Sequence, residues 1–303
     1  MVSDVRIIEV GPRDGLQNEK VQVSTEIKVA LIERLAKAGL TEIEATSFVS
    51  AKWVPQMSDH DAVMRRLDQA VGVRYPVLVP NLRGFENAIA AGAKHVAVFA
   101  AASESFSKKN INCTIEESFA RFEPVFEAAK KAGIEMRGYV SCAIACPYEG
   151  RIAPERVAMI AKRLYDNGCY EVSLGDTIGV GTPATVLPLL ECVARSVPLR
   201  KLSGHFHDTY GMAIANVHAS YEAGLRAFDS SIGGLGGCPY APGATGNVAT
   251  EDIVYLLRDR GIDTGIDLDA LVACAVWISH ELGRPIASRV GRALSQKSAP
   301  AAC

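Results

Sequence analysis

The sequence contains no apolar run near the roughly 20 residues that a membrane-spanning helix needs, so no membrane role is expected. Its opening, Met-Val-Ser-Asp-Val-Arg, has neither the apolar stretch of a secretory leader nor the pattern of an Arg-rich transit helix, and no targeting signal closes the chain; a cytoplasmic protein is expected. An excess of charge of either sign is missing too. Thirty-two Lys and Arg stand against 34 Asp and Glu, which argues against nucleic acid as a partner. No Cys-x-x-Cys occurs, and the eight cysteines are scattered without regular spacing, which excludes a disulfide framework and fits a reducing compartment. Cys142 and Cys146, four apart, are read as buried thiols rather than ligands. No Gly-x-Gly-x-x-Gly turn follows an early strand, which weakens a doubly wound, dinucleotide-binding sheet. No linker divides the 303 residues, and a hydrophobic share of 49% is enough for one large core.

What is present is a repeated grammar of helix, glycine stop and buried strand. Val5 to Val10 reads as a first strand, and Ser24 or Thr25 caps a helix that ends at Gly39, just before a second strand at Glu42 to Phe48. The pattern returns as Gly92 before Val96–Phe99, Gly133 before Met136–Val140, Gly168 before Glu171–Leu174, and Gly224 before Ala227–Ile232. Strands at Val73–Val79 and Leu202–His207 lack the glycine but follow helical sequence. Eight such units predict a (β/α)8 TIM barrel over residues 1–294, with an extra C-terminal helical appendage from about Leu268 to Leu282 and a disordered tail at 295–303.

Active sites of this fold lie at the C-terminal strand ends, and ionisable residues collect there. Strand one ends in Arg13-Asp14, strand two carries Glu44, strand six ends in Asp176, and strand seven runs into His205-Phe-His207. The two histidines, two apart on a strand, project to one face. Asp14 adds a carboxylate, and Asn247 an amide oxygen. This nitrogen and oxygen set favours Mg²⁺ or Mn²⁺ over a structural, thiolate-rich zinc site. Strand eight leads into residues 233–247, where six glycines flank one thiol, Cys238, in a stretch almost free of charge. That composition is expected to form a lid that brings Cys238 to the site.

Three segments carry a family resemblance: Gly-Pro-Arg-Asp-Gly-Leu-Gln-Asn-Glu at 11–19, Gly-His-Phe-His-Asp-Thr-Tyr-Gly at 204–211, and Gly-Leu-Gly-Gly-Cys-Pro-Tyr-Ala-Pro-Gly-Ala-Thr-Gly-Asn at 234–247. With Glu-Ala-Thr-Ser-Phe at 44–48 and Ser-Leu-Gly-Asp-Thr-Ile-Gly at 173–179, the sequence resembles the 3-hydroxy-3-methylglutaryl-CoA lyases along nearly its whole length. The resemblance implies a metal-dependent barrel of the leucine-degradation and ketone-body type. It would split an acyl-CoA into acetyl-CoA and acetoacetate, with Asp14, His205, His207 and Asn247 as metal ligands and Cys238 as the catalytic thiol. Arg13, Glu44 and Asp176 would be active-site residues. Animal members carry a mitochondrial leader and often a C-terminal Cys-Lys-Leu; this sequence shows neither, so a bacterial cytosolic form is expected.

For such a cleavage, Arg13 would face the enolate charge at the thioester oxygen, and Glu44 would orient Arg13. Asp176, preferred over a metal-bound His205, would take the hydroxyl proton, and Cys238 would protonate the enolate carbon. Substrate contacts are expected from Arg13, from Gln17, from Lys109 and Asn110 in the loop after strand four, and from Arg137 on the polar floor. A homodimer is expected. Alternatives are a lyase for a longer-branched 3-hydroxyglutaryl-CoA, an isopropylmalate- or homocitrate-synthase type barrel, a pyruvate-aldolase type barrel, or a metal-binding scaffold without catalysis.

Overall fold

The computed structural model describes residues 5–68, 72–237 and 245–297. Eight parallel strands form one sheet: β1 (Arg6–Glu9), β2 (Thr46–Ser47), β3 (Pro76–Leu78), β4 (His95–Ala101), β5 (Glu135–Ser141), β6 (Glu171–Asp176), β7 (Leu202–Phe206) and β8 (Ala227–Ser230). Their order runs β1-β8-β7-β6-β5-β4-β3-β2. The two ends meet where Glu9 N donates to Glu42 O at 3.0 Å and Glu44 N donates to Glu9 O at 2.8 Å, so the sheet closes on itself. This is the (β/α)8 barrel that the alternation implies. The expected strand at 42–48 pairs as a ladder only at Thr46–Ser47, with isolated bridges at Glu42 and Ile43. A small hairpin, Ala145–Cys146 with Gly150–Arg151, decorates the loop after β5.

Helices fill each crossover, and their ends follow local chemistry. Ser24 Oγ accepts from Ile27 N at the start of Thr25–Lys37. Gly39, with φ +102°, is demanded twice over: a Cβ there would sit 2.2 Å from the Gly265 carbonyl oxygen, where the appendage crosses the first helix. The appendage holds two helices rather than one, Leu268–Glu281 and Arg289–Lys297. The second runs through 295–297, so that part of the expected disordered tail is helical. Asp252 fixes its start by accepting from Ser288 Oγ at 2.7 Å and Val290 N at 2.9 Å, and Val290 and Leu294 pack on the core.

Valines, leucines and isoleucines on the outer strand faces pack against the helices in one large cluster. The barrel interior is mixed. Ile8, Val10 and Ala227 form one small apolar patch and Leu78, Ala97 and Tyr139 another, whereas Arg137, Glu171, Ser173, Ser203 and Asp229 are all fully buried.

Glu9 lies on the opposite strand face from Ile8 and Val10 and ties the barrel to the root of the glycine-rich segment. Its carboxyl accepts from Gly11 N at 2.8 Å, Ile232 N at 2.9 Å and Thr250 Oγ1 at 2.6 Å. Glu251 accepts from Gly233 N through both oxygens at 3.0 Å. Burial pushes Glu9 up to about 7 and Glu251 up to about 8, against an ordinary value of 4.5. A carboxyl whose folded value is raised holds a proton that the unfolded chain has released, so its stabilising contribution is full below pH 4.5 and is lost as pH rises towards 8. Unfolding by urea at pH 5 and pH 8 should therefore show a smaller stability loss in Glu251→Gln than in the wild type. Identical losses would show that Glu251 titrates at its ordinary value.

Candidate active site

β1 hands over to a tight π-helical turn, Gly11–Gly15, that presents Arg13 and Asp14 at the barrel mouth. Arg13 Nε donates to Glu44 Oε2 at 2.7 Å, its NH2 group lies 2.7 Å from the same oxygen, and its NH1 donates to Asp14 Oδ1 at 2.7 Å. Its guanidinium also lies 5.6 Å from the Tyr139 ring centroid. Burial works against this charge, but the Glu44 and Asp14 carboxylates outweigh it and hold the guanidinium firmly ionised. Burial likewise pushes Glu44 upward, with Arg13 opposing. Asp14 goes the other way: its burial is overcome by Arg13 and both imidazoles, which bring it down to about 2.

Asp14, His205 and His207 place one donor atom each within 4.8 Å of one another. His205 Nε2 lies 3.3 Å from His207 Nε2 and 4.0 Å from Asp14 Oδ2. Asn247 arrives from the far end of the glycine-rich segment, paired to His207 by an antiparallel bridge, and its Nδ2 donates to Asp14 Oδ2 at 2.9 Å. Gly236, with φ +114°, makes room for it: a Cβ there would meet Asn247 Nδ2 at 2.9 Å. Asn247 Oδ1 is buried without a hydrogen-bond partner. An unused amide oxygen beside one carboxylate and two facing imidazole nitrogens is a donor set that fits a divalent cation and leaves room for substrate oxygens. Burial, reinforced by its neighbour His205, brings His207 down to about 4, so its ring is neutral and ready to ligate. On His205 burial also disfavours the charge, but the Asp229 carboxylate outweighs it and raises the group.

Asp176 ends β6 in register with Phe206. Its carboxylate accepts from Val180 N at 3.2 Å and Gly181 N at 2.7 Å, and burial lifts it to about 6. Gln17, just past the Arg13 turn, has a buried Oε1 without a partner. Cys238 lies outside the described residues. The segment leading to it is held where Asn18 Nδ2 donates to the Gly237 carbonyl at 3.0 Å.

Two expectations need correction. Lys109 and Asn110 are not in a loop: Ser103 Oγ accepts from Phe106 N and caps a helix, Glu104–Ile111, whose exposed last turn they occupy. Arg137 lies on the polar floor, as expected, but has no donor left to make the expected substrate contact. It is fully buried, and all five of its N–H donors are engaged, by Glu171, the Tyr139 hydroxyl, Ser203 and both oxygens of Asp229. Asp229 itself was not among the residues the sequence singled out. The available signal was an acid within an otherwise buried strand, Ala-Phe-Asp-Ser.

Residues 4–278 match the HMGL-like family model. The hydroxymethylglutaryl-CoA lyase of Pseudomonas mevalonii is 58% identical over 295 residues, 97% of this chain and 98% of that protein. The crystal structure of hydroxymethylglutaryl-CoA lyase from Pseudomonas aeruginosa superposes with a TM-score of 0.95 at 54% identity, covering 98% of this chain and 99% of that one. An HMG-CoA lyase from Acinetobacter baumannii, solved with coenzyme A and 3-methylmalate, superposes with a TM-score of 0.93 at 36% identity, covering 100% of this chain and 99% of its own. A match of this length, carried by fold and sequence alike, makes the chain a member of the HMGL-like family.

Proposed function

We propose that the protein is a hydroxymethylglutaryl-CoA lyase: it cleaves 3-hydroxy-3-methylglutaryl-CoA into acetyl-CoA and acetoacetate with the help of Mg²⁺ or Mn²⁺. The observation that carries this reading is a permanent positive charge, Arg13, fixed by Glu44 directly beside the Asp14–His205–His207 cluster. A divalent cation held by Asp14, His205, His207 and Asn247 would acidify the substrate's C3 hydroxyl and orient it. Arg13 then faces the thioester oxygen, where negative charge grows as the carbon–carbon bond breaks.

Of the two groups that could take the hydroxyl proton, His205 is fully occupied: Nδ1 meets Asp229 and Nε2 faces the metal cluster. Asp176, raised to about 6, keeps carboxylate lone pairs beyond the two amides it accepts, so it takes that role. Cys238 delivers the proton to the enolate carbon. Gln17, with its unpaired oxygen, contacts the substrate or its neighbours, and the exposed Lys109 and Asn110 meet the phosphates of coenzyme A. The coenzyme A held by the Acinetobacter baumannii relative supports an acyl-CoA substrate here. The described cysteines are free thiols, which fits a reducing compartment. No helix among the described residues is long and apolar enough to cross a membrane.

The test is release of acetyl-CoA and acetoacetate from 3-hydroxy-3-methylglutaryl-CoA. Activity should vanish with chelator and return with Mg²⁺ or Mn²⁺. His207→Ala should weaken Mn²⁺ binding in a direct titration while the circular dichroism spectrum stays unchanged. Failure of the wild type to cleave this thioester, or full turnover after metal removal, would refute the assignment.

A further inference from the structure

The two imidazoles of the cluster differ in how they are held. His207 Nδ1 is buried without a partner. His205 Nδ1 lies 3.0 Å from Asp229 Oδ2. Asp229 is 1% exposed and sits on β8 in register with His205 on β7. Ser173 donates to its Oδ2 at 2.8 Å, and Arg137 donates to Oδ1 at 2.5 Å and to Oδ2 at 3.2 Å. Among the described residues, the other side chains bonded to Asp229, Arg137 and Ser173, are donors, so the carboxylate presents acceptor lone pairs to His205. The hydrogen shared between them therefore belongs to Nδ1, which leaves the Nε2 lone pair pointing at His207 and Asp14.

We propose that Asp229 is the positioning residue of the metal centre: with Arg137 and Ser173 holding it, it locks His205 in the Nδ1–H tautomer and fixes the direction of Nε2 toward the cation. This rests on the reading of Asp14, His205 and His207 as the metal site. The logic is that of an outer carboxylate behind a ligating histidine, which sets ring orientation and makes the nitrogen a better donor. Arg137 couples this arm to the other half of the site, because its NH1 also donates to the Tyr139 hydroxyl at 2.8 Å and the Tyr139 ring lies under Arg13.

Direct titration of the metal-stripped protein with Mn²⁺ tests the proposal without any assay of turnover. Asp229→Asn should raise the Mn²⁺ Kd by roughly 10–100-fold. Ser203→Ala removes another buried bond to Arg137 without touching Asp229 or His205, so it should leave that Kd unchanged. Asp229→Asn leaves Arg137 short of a counter-charge and risks misfolding, so a second measurement uses the wild type alone. In Mg²⁺-saturated protein, ¹⁵N-resolved NMR should find the His205 proton on Nδ1. A wild-type Kd in folded Asp229→Asn, an equal loss in Ser203→Ala, or a proton on Nε2 would overturn the role. His207→Ala separates the two readings. If it leaves the Mn²⁺ Kd unchanged, the metal site itself is misplaced; if it raises the Kd and Asp229→Asn does not, only the positioning role falls.

Discussion

Arg13→Gln is expected to lower kcat on 3-hydroxy-3-methylglutaryl-CoA by at least roughly 10²–10³-fold, the loss typical of deleting one donor to a developing oxyanion. The contacts of Arg13 with Glu44 and Asp14 use three of its five N–H donors, so the outward edge of the guanidinium stays available for the thioester oxygen. Glutamine keeps a hydrogen-bonding amide but removes the charge, which matters most where water is excluded and the transition state is anionic. It also strands Glu44, whose fully buried carboxyl would take up a proton once its cation is gone. Arg13→Lys should fall between the two, since it restores the charge without the fork that grips Glu44. Steady-state kinetics, with substrate affinity measured separately by calorimetry, should place the defect in kcat rather than in binding. A glutamine variant with wild-type kcat would remove Arg13 from the chemistry.

How much of this was legible beforehand follows from range along the chain. The barrel could be read because helix, glycine stop and strand are local signals repeated with little change, and Gly39 marks such a stop where φ is +102°. Residues at strand ends could be placed at one mouth because a closed parallel barrel allows nothing else, so Arg13 and Glu44 were already paired in expectation. Asp229 could not be found that way. Its importance arises only when closure sets β8 against β7 and the register puts it beside His205, a relation between two strands that neither shows alone. Arg137 shows the converse limit: strand parity puts its side chain inside the barrel at the polar floor, but does not show that neighbouring acceptors there take up every donor a substrate could use. At Lys109 and Asn110 the Ser103 cap, a single hydroxyl, turns an apparent basic loop into a helix.

Cys238→Ser should cost roughly 10²–10⁴-fold in kcat, the range for losing general acid catalysis, with Mn²⁺ affinity and substrate binding close to wild type. Cys238 lies outside the described residues, so the argument runs through what surrounds it. On one side, Gly237 is tied by Asn18 to the segment that carries Arg13. On the other, Gly246 O accepts from Asp208 N at 3.0 Å, and Asn247 bridges to His207. One anchor is thus Asn18, four residues beyond Asp14, and the other is Asn247 beside the metal cluster, which supports a role for the thiol at the site. The enolate left by cleavage needs a proton on carbon, and a thiol with a pKa of about 8.5 can supply one, whereas a serine hydroxyl is far too weak an acid. Serine nearly preserves size, so the loss reports acidity rather than packing. Iodoacetamide should inactivate the wild type by modifying Cys238, and bound acyl-CoA should protect it. Turnover of the serine variant at the wild-type rate, or an inactivating adduct mapped to Cys142 or Cys303, would take the thiol out of the reaction and return the proton donor to the groups around Arg13.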